Sequence, residues 1–170
     1  MTETEQGPCV YVALPTHWAL QGESLWARAL GDDLYELQNI PFYAYGLNFG
    51  DVVRATAGSL GELPTVREVV RRGGHKTLRV MFSRDVPEPR FQQLMQSLPR
   101  EVGYEHAKPG YFAVDIRPGT DIWSVCAQLD RWVEQELAGY ETCEPRVPGS
   151  FDDAPRAAEQ GIGADGPAPR

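Results

Sequence analysis

The ordering of periodicities across residues 77–143 constrains the fold more than any other feature. An alternating run is followed by a helical run, two more alternating runs and a second helical run. In the stretch "RDVPEPRFQQLMQSL", Asp85 suits a helix cap, Pro87 the first turn and Glu88 the positive N-terminal end. Phe91, Leu94, Met95 and Leu98 then share one helical face, and Pro99 supplies a stop. "EVGYEHA" and "YFAVDIR" flank a turn at Lys108, Pro109 and Gly110. A longer helix over residues 121–137 carries Ile122, Val125, Cys126, Leu129, Trp132, Val133 and Leu137 on one face, and residues 140–143 have the character of a closing strand. The order β-α-β-β-α, with a last β, predicts a ferredoxin-like α+β unit: an antiparallel sheet with both helices on one face.

The N-terminal half shows no helical period. "CVYVAL", "SLWARAL" and "LYELQNI" read as strands, the last two joined through Gly31, Asp32 and Asp33 as a hairpin. Leu25, Ala27 and Ala29 share one face there, against Trp26 and Arg28. Next comes "NIPFYAYGLNFGDVV", crowded with four aromatic rings. Pro41 ends a strand, Gly46 and Gly50 allow bends, and "VVRAT" resumes extended structure. Short strands at this spacing predict a small barrel or strongly bent sheet. Phe42, Tyr45 and Phe49 are expected to plug it, with Tyr43 turned to the surface. "TVREVVRRGGHKTLRVMF" reads as a hairpin turning at Gly73 and Gly74, bridging the two halves. The expected organisation is a flexible start (1–8), a β-rich unit (9–72), a ferredoxin-like unit (73–143) and a disordered tail (144–170) rich in Pro, Gly, Ala, Asp and Arg.

Charge is uneven. The net charge is −8, yet residues 54–84 hold seven cations against Glu62 and Glu68, a local +5. An acidic chain with one basic stretch disfavours non-specific nucleic-acid binding. No apolar run is long enough to span a bilayer, and the start lacks the pattern of a secretion signal, so a cytoplasmic setting is expected. The cysteines Cys9, Cys126 and Cys143 have neither disulfide-framework nor metal-ligand spacing. Cys126 falls on the apolar helix face and reads as core. No phosphate loop, dinucleotide glycine pattern or nucleophile elbow occurs, so neither a metal nor a cofactor is expected, and no catalytic residue is assigned.

The runs "ESLWARAL", "YELQNIPFYAYGLNFGDVV", "REVVRRGGHKTLRVMF" and "FAVDIRPGTDIW" resemble a bacterial family, the domain of unknown function 4265, in order and spacing over residues 9–143. The resemblance implies a small stand-alone bacterial protein and brings no activity with it. One departure is Gly73, where the family pattern leads one to expect Ser.

Two groups of residues stand out. Arg71, Arg72, His75 and Lys76 cluster around the Gly-Gly turn and have the chemistry to hold a small anion, such as phosphate or carboxylate. His17, Trp18 and Tyr43 form a candidate interaction surface. Asp115, a carboxylate in an apolar strand, reads as a structural partner of a nearby cation rather than as an acid–base catalyst. His106 lies near a turn and reads as solvated. These observations favour a non-catalytic protein-binding module, with an immunity-type antagonist of a bacterial toxin as one form. The alternatives are a nucleotide or nucleic-acid binder using the basic stretch 65–84, and a small enzyme with a site between the two halves.

Overall fold

The computed structural model describes residues 9–58, 62–144 and 149–154. The protein is α+β: five strands close into a barrel, and four more form a second sheet with two helices. The barrel strands are β1 (Cys9–Ala13), β2 (Gly22–Gly31), β3 (Leu34–Leu37), β4 (Val52–Thr56) and β5 (Thr65–Arg71). Neighbours in sequence pair antiparallel, and β1 meets β5 in parallel at Tyr11 and Thr65 to close the ring. Register shifts in the β2–β3 and β4–β5 ladders supply the bending that closure of so few strands needs. Alternation sends Val10, Leu25, Ala27, Leu37, Val53 and Ala55 inward.

The second sheet runs β7 (Val102–Lys108), β8 (Tyr111–Ile116), β6 (Lys76–Phe82), β9 (Ala138–Thr142), with every neighbouring pair antiparallel. Helices α1 (Glu88–Gln96) and α2 (Ile122–Glu134) cover one face. Leu78, Val80, Phe82, Phe112, Val114 and Ile116 point into that layer against Phe91, Met95, Val125, Leu129 and Trp132. Asp121 caps α2, accepting from Trp123 N at 3.0 Å and Ser124 Oγ at 2.7 Å; the Ser124 bond leads the effects that hold its carboxyl below the usual range. At α1 the N-cap position falls to Pro87, not Asp85, and makes no side-chain hydrogen bond.

Three expectations need correction. The stretch 65–82 is not a hairpin, because β5 pairs with β4 and β1 while β6 pairs with β8 and β9. The Gly-Gly step instead carries the chain from barrel to sheet. A Cβ at Gly73 would lie 2.4 Å from the Gly50 carbonyl oxygen, so the two backbones touch there, and Gly74 takes φ +90°. A serine at this position would bring its Cβ against the Gly50 carbonyl oxygen.

The ring plug is the second correction. Between residues 41 and 50 the buried members are Pro41, Ala44, Leu47 and Asn48, and of these Ala44 and Leu47 join the barrel core. Phe42, Tyr45 and Phe49 are half-buried, and so is Tyr43, which packs on Tyr111 instead of facing solvent. The rings are too bulky for a five-stranded interior and fill the seam outside it.

The third is the tail boundary. Residues 149–154 lie on the fold, with Ser150 and Asp152 buried and the Phe151 ring near Tyr111. The polar composition conceals this docking, in which backbone and carboxylate groups bond to Thr16, Trp18 and Glu141. Residues 1–8 and 155–170, the rest of the segments expected to be flexible, lie outside the described residues.

The cysteines sort differently from expectation too. Cys126 is only half-buried on α2, whereas Cys143 is 2% exposed. Burial pushes the Cys143 thiol up to about 12 and raises Cys126 as well. Labelling of the native protein with a disulfide reagent at pH 8 is therefore expected to modify Cys143 last, with Cys9 and Cys126 ahead of it. Labelling of Cys143 at the rate seen in urea would contradict its placement.

Candidate functional site

The helix-free face of the second sheet carries Thr77, Arg79, Tyr111, Ala113, Asp115 and Glu141, as the registers require. Residues 41–49 cross this face, so the aromatic run is a layer between barrel and sheet. Two charges hold it from opposite sides. Glu23, on β2, stands at the same inward parity as Leu25 and Ala27. Its carboxylate accepts from the backbone N–H groups of Phe42 (2.6 Å), Tyr43 (3.0 Å) and Ala44 (3.0 Å). Arg79, on β6, donates to the carbonyls of the last two: Nη1 to Tyr43 O at 3.0 Å and Nη2 to Ala44 O. One short peptide is thus bound through its donors by an anion of the barrel and through its acceptors by a cation of the sheet.

Arg79 is 1% exposed. Its guanidinium lies 3.4 Å from Glu141 and 4.6 Å from the centre of the Tyr45 ring, and Tyr45 donates its hydroxyl to Glu141 at 2.7 Å. Burial opposes the Arg79 charge, but Cys143, Tyr111, Glu141 and Tyr45 around it more than offset that and raise its pKa. Burial, and then the bond to Glu141, raise the Tyr45 phenol. Tyr111 donates to Phe42 O at 2.7 Å, and Gly46 N donates to Cys143 O at 2.8 Å. The space between the halves, where a cleft was considered, is occupied by the protein's own chain.

At one rim of this seam the rings gather. His17 meets Tyr43 edge-on at 5.4 Å and stacks near Trp18 at 6.4 Å; Tyr43 stacks on Tyr111 at 5.8 Å. The three residues singled out as an interaction surface are therefore together. His17 Nδ1 accepts from Ala19 N and Leu20 N, both at 3.0 Å, which places its ring proton on Nε2. Burial holds the His17 pKa below its ordinary value, against the pull of Asp152 and with help from Arg79 and Lys108. Trp18 is 57% exposed.

The basic group is brought together less closely, and each member faces a carboxylate of the same chain. Arg71 lies 4.0 Å from Glu36, Arg72 2.8 Å from Asp51, His75 2.7 Å from Asp115 and Lys76 2.8 Å from Glu144. Asp51 is fully buried and also accepts from Gly73 N and Asn48 N. An internal anion thus sits where an external one was considered. His75 packs against Phe49 at 5.0 Å and, with Asp115, ties the crossover to β8. His106 is an exposed residue of edge strand β7. Among the described residues no group of three or more His, Cys, Asp or Glu could hold a metal ion.

A family model described as "Domain of unknown function (DUF4265)" matches residues 23–140. The chain belongs to the DUF4265 family. The matched segment of this DUF4265 protein runs from Glu23 to Tyr140, and so includes both charges that pin the seam and the peptide between them. A crystal structure of a hypothetical protein from Neisseria gonorrhoeae has the same fold: its TM-score is 0.69 over 84% of this chain and 97% of its own. Sequence identity there is 14%, so the likeness is one of fold alone. No curated protein matches the chain.

Glu23, Arg79 and Asp51 were not among the residues singled out from the sequence. A signal was present for two of them. Glu23 is a charge on a strand face otherwise made of Leu25 and Ala27, and Arg79 is a charge between Leu78 and Val80 in a strand with a strongly apolar face. Asp51 follows Gly50 and carries only the local signal of a turn residue.

Proposed function

We propose that this DUF4265 chain is a non-catalytic protein-binding module that docks its partner on the rim formed by His17, Trp18 and Tyr43. The observation that carries the reading is Trp18, 57% exposed on a base of stacked rings that is itself anchored to buried charges. Rigid aromatic side chains over a packed base are the usual anchors of protein interfaces, since they bury large area at small entropic cost. The filled seam and the carboxylates facing Arg71, Arg72, His75 and Lys76 weigh against an enzyme cleft and against an anion or nucleic-acid site.

In the same reading the second unit is ferredoxin-like. Support comes from the order β7-β8-β6-β9, in which each helix links two parallel strands separated by one other. The setting is the bacterial cytoplasm, and small size with a net charge of −8 suits an immunity-type antagonist. Among the described residues no helix is long and apolar enough to cross a membrane.

The test is affinity capture from the native host with the parent, Trp18→Ala and Trp123→Ala. Trp123 is 79% exposed on the helix layer, away from the rim, and serves as the control. A specific partner is expected to survive Trp123→Ala and to weaken at least ~10-fold with Trp18→Ala, the scale of an interface anchor. Equal capture by the parent and Trp18→Ala would overturn the reading.

A further inference from the structure

The rim already holds a ligand of a kind: the protein's own residues 149–154. Phe151 places its ring 6.3 Å from that of Tyr111, over Gly139, where a Cβ would touch it at 3.9 Å. Its N–H donates to Glu141 Oε2 at 3.0 Å. Asp152 accepts twice, from Thr16 Oγ1 at 2.6 Å through its carboxylate and from Trp18 N at 3.0 Å through its carbonyl. The Lys108 ammonium stands 5.7 Å from the centre of the Tyr111 ring, so a cation lies beside the ring that Phe151 approaches. The segment follows Pro145 and Pro148, enters through Gly149 at φ +84° and leaves into Pro155. It adds no strand to either sheet. Bonds to Thr16, Trp18 and Glu141, a ring near Tyr111 and the burial of Ser150 and Asp152 hold it on the fold.

We propose that residues 149–154 are an internal clip on the docking rim, and that the partner binds by displacing it with an extended segment bearing an aromatic residue followed by an acid. The proposal rests on the rim being the docking surface. The clip shows which chemistry that surface accepts: a ring against Tyr111, a backbone N–H for Glu141, and a carboxylate for Thr16. Opening the clip exposes these groups together, so occupancy by self and by partner are mutually exclusive.

The experiment uses the full chain and a fluorescent peptide of sequence VPGSFDDAPR, residues 147–156. The double variant Phe151→Ala, Asp152→Ala is expected to bind the peptide at least ~10-fold more tightly than the parent, whose own clip competes. A peptide with alanine at both positions should not bind. Failure of the folded double variant to bind, or equal binding by the parent, overturns the proposal. Hydrogen exchange on the parent tests the same point without substitution. The Trp18 and Phe151 amides are expected to exchange at least ~100-fold faster than Leu37 N–H in the barrel, and equal protection overturns displacement. A concentration-dependent dimer abolished by Phe151→Ala would make a second copy the occupant and would also overturn it. Trp18-dependent capture that is unchanged in the clip variant would leave the rim standing and sink the clip; capture independent of Trp18 would sink the rim itself.

Discussion

Replacing Arg79 with alanine is expected to destabilise the protein by about 3–5 kcal/mol, the cost of breaking a buried ion pair by deleting one partner. The reason lies in what is left behind. Glu141 keeps its charge in the seam, and the Tyr43 and Ala44 carbonyls lose the donor that satisfied them. The Tyr45 ring loses the cation over its face. Water entry would relieve some of this, but only by separating barrel from sheet. Urea denaturation of parent and variant measures the effect. Arg79→Met separates charge from volume, since methionine fills much of the space without bonding to either carbonyl, and it too is expected to lose at least ~2 kcal/mol. A loss below ~1 kcal/mol for Arg79→Ala would mean that the 42–44 peptide is not held from the sheet side.

Much of the architecture was legible because periodicity reports burial directly. The α1 face of Phe91, Leu94 and Met95, the hairpin of β7 and β8, and the shared inward face of Leu25 and Ala27 follow from spacing alone, whereas Ala29, read onto the same face, is exposed. What failed was long-range. Gly73 and Gly74 carry the same local signal whether the next strand returns beside the last or leaves for another sheet; the choice is made by β8 and β9 pairing with β6, some 30 to 60 residues later. The rings of residues 42–49 failed for a related reason. Aromatic crowding announces a packed environment, but not which one, and a barrel closed by five strands has room for Ala44 and Leu47 rather than for phenyl groups. Of the two groups singled out for a site, His17, Trp18 and Tyr43 converge. The carboxylates that face the basic cluster, Glu36, Asp51, Asp115 and Glu144, are distant in sequence from their cations, so local spacing could not show that pairing.

Glu23→Ala is the matching expectation on the barrel side, at about 3 kcal/mol or more. It leaves three N–H donors, one buried and two partly buried, without their acceptor, each worth about 1–3 kcal/mol if wholly unsatisfied, reduced because the loop relaxes toward water. Glu23→Gln is expected to rescue little. A carboxamide offers one acceptor oxygen where the carboxylate uses two, and its NH2 group would face a backbone donor. The more informative measurement is the double variant. Glu23 and Arg79 never touch in the hydrogen-bond network; they communicate through the Phe42–Ala44 peptide they share. Once one side lets go, the peptide is free to move, and the second loss should cost less. The double-mutant cycle is therefore expected to fall short of additivity by at least ~1 kcal/mol, well beyond the ~0.5 kcal/mol seen for independent sites. Strict additivity would show that each charge stabilises its own unit separately, and that the layer between barrel and sheet is held by its rings rather than by the two charges on either side of its backbone.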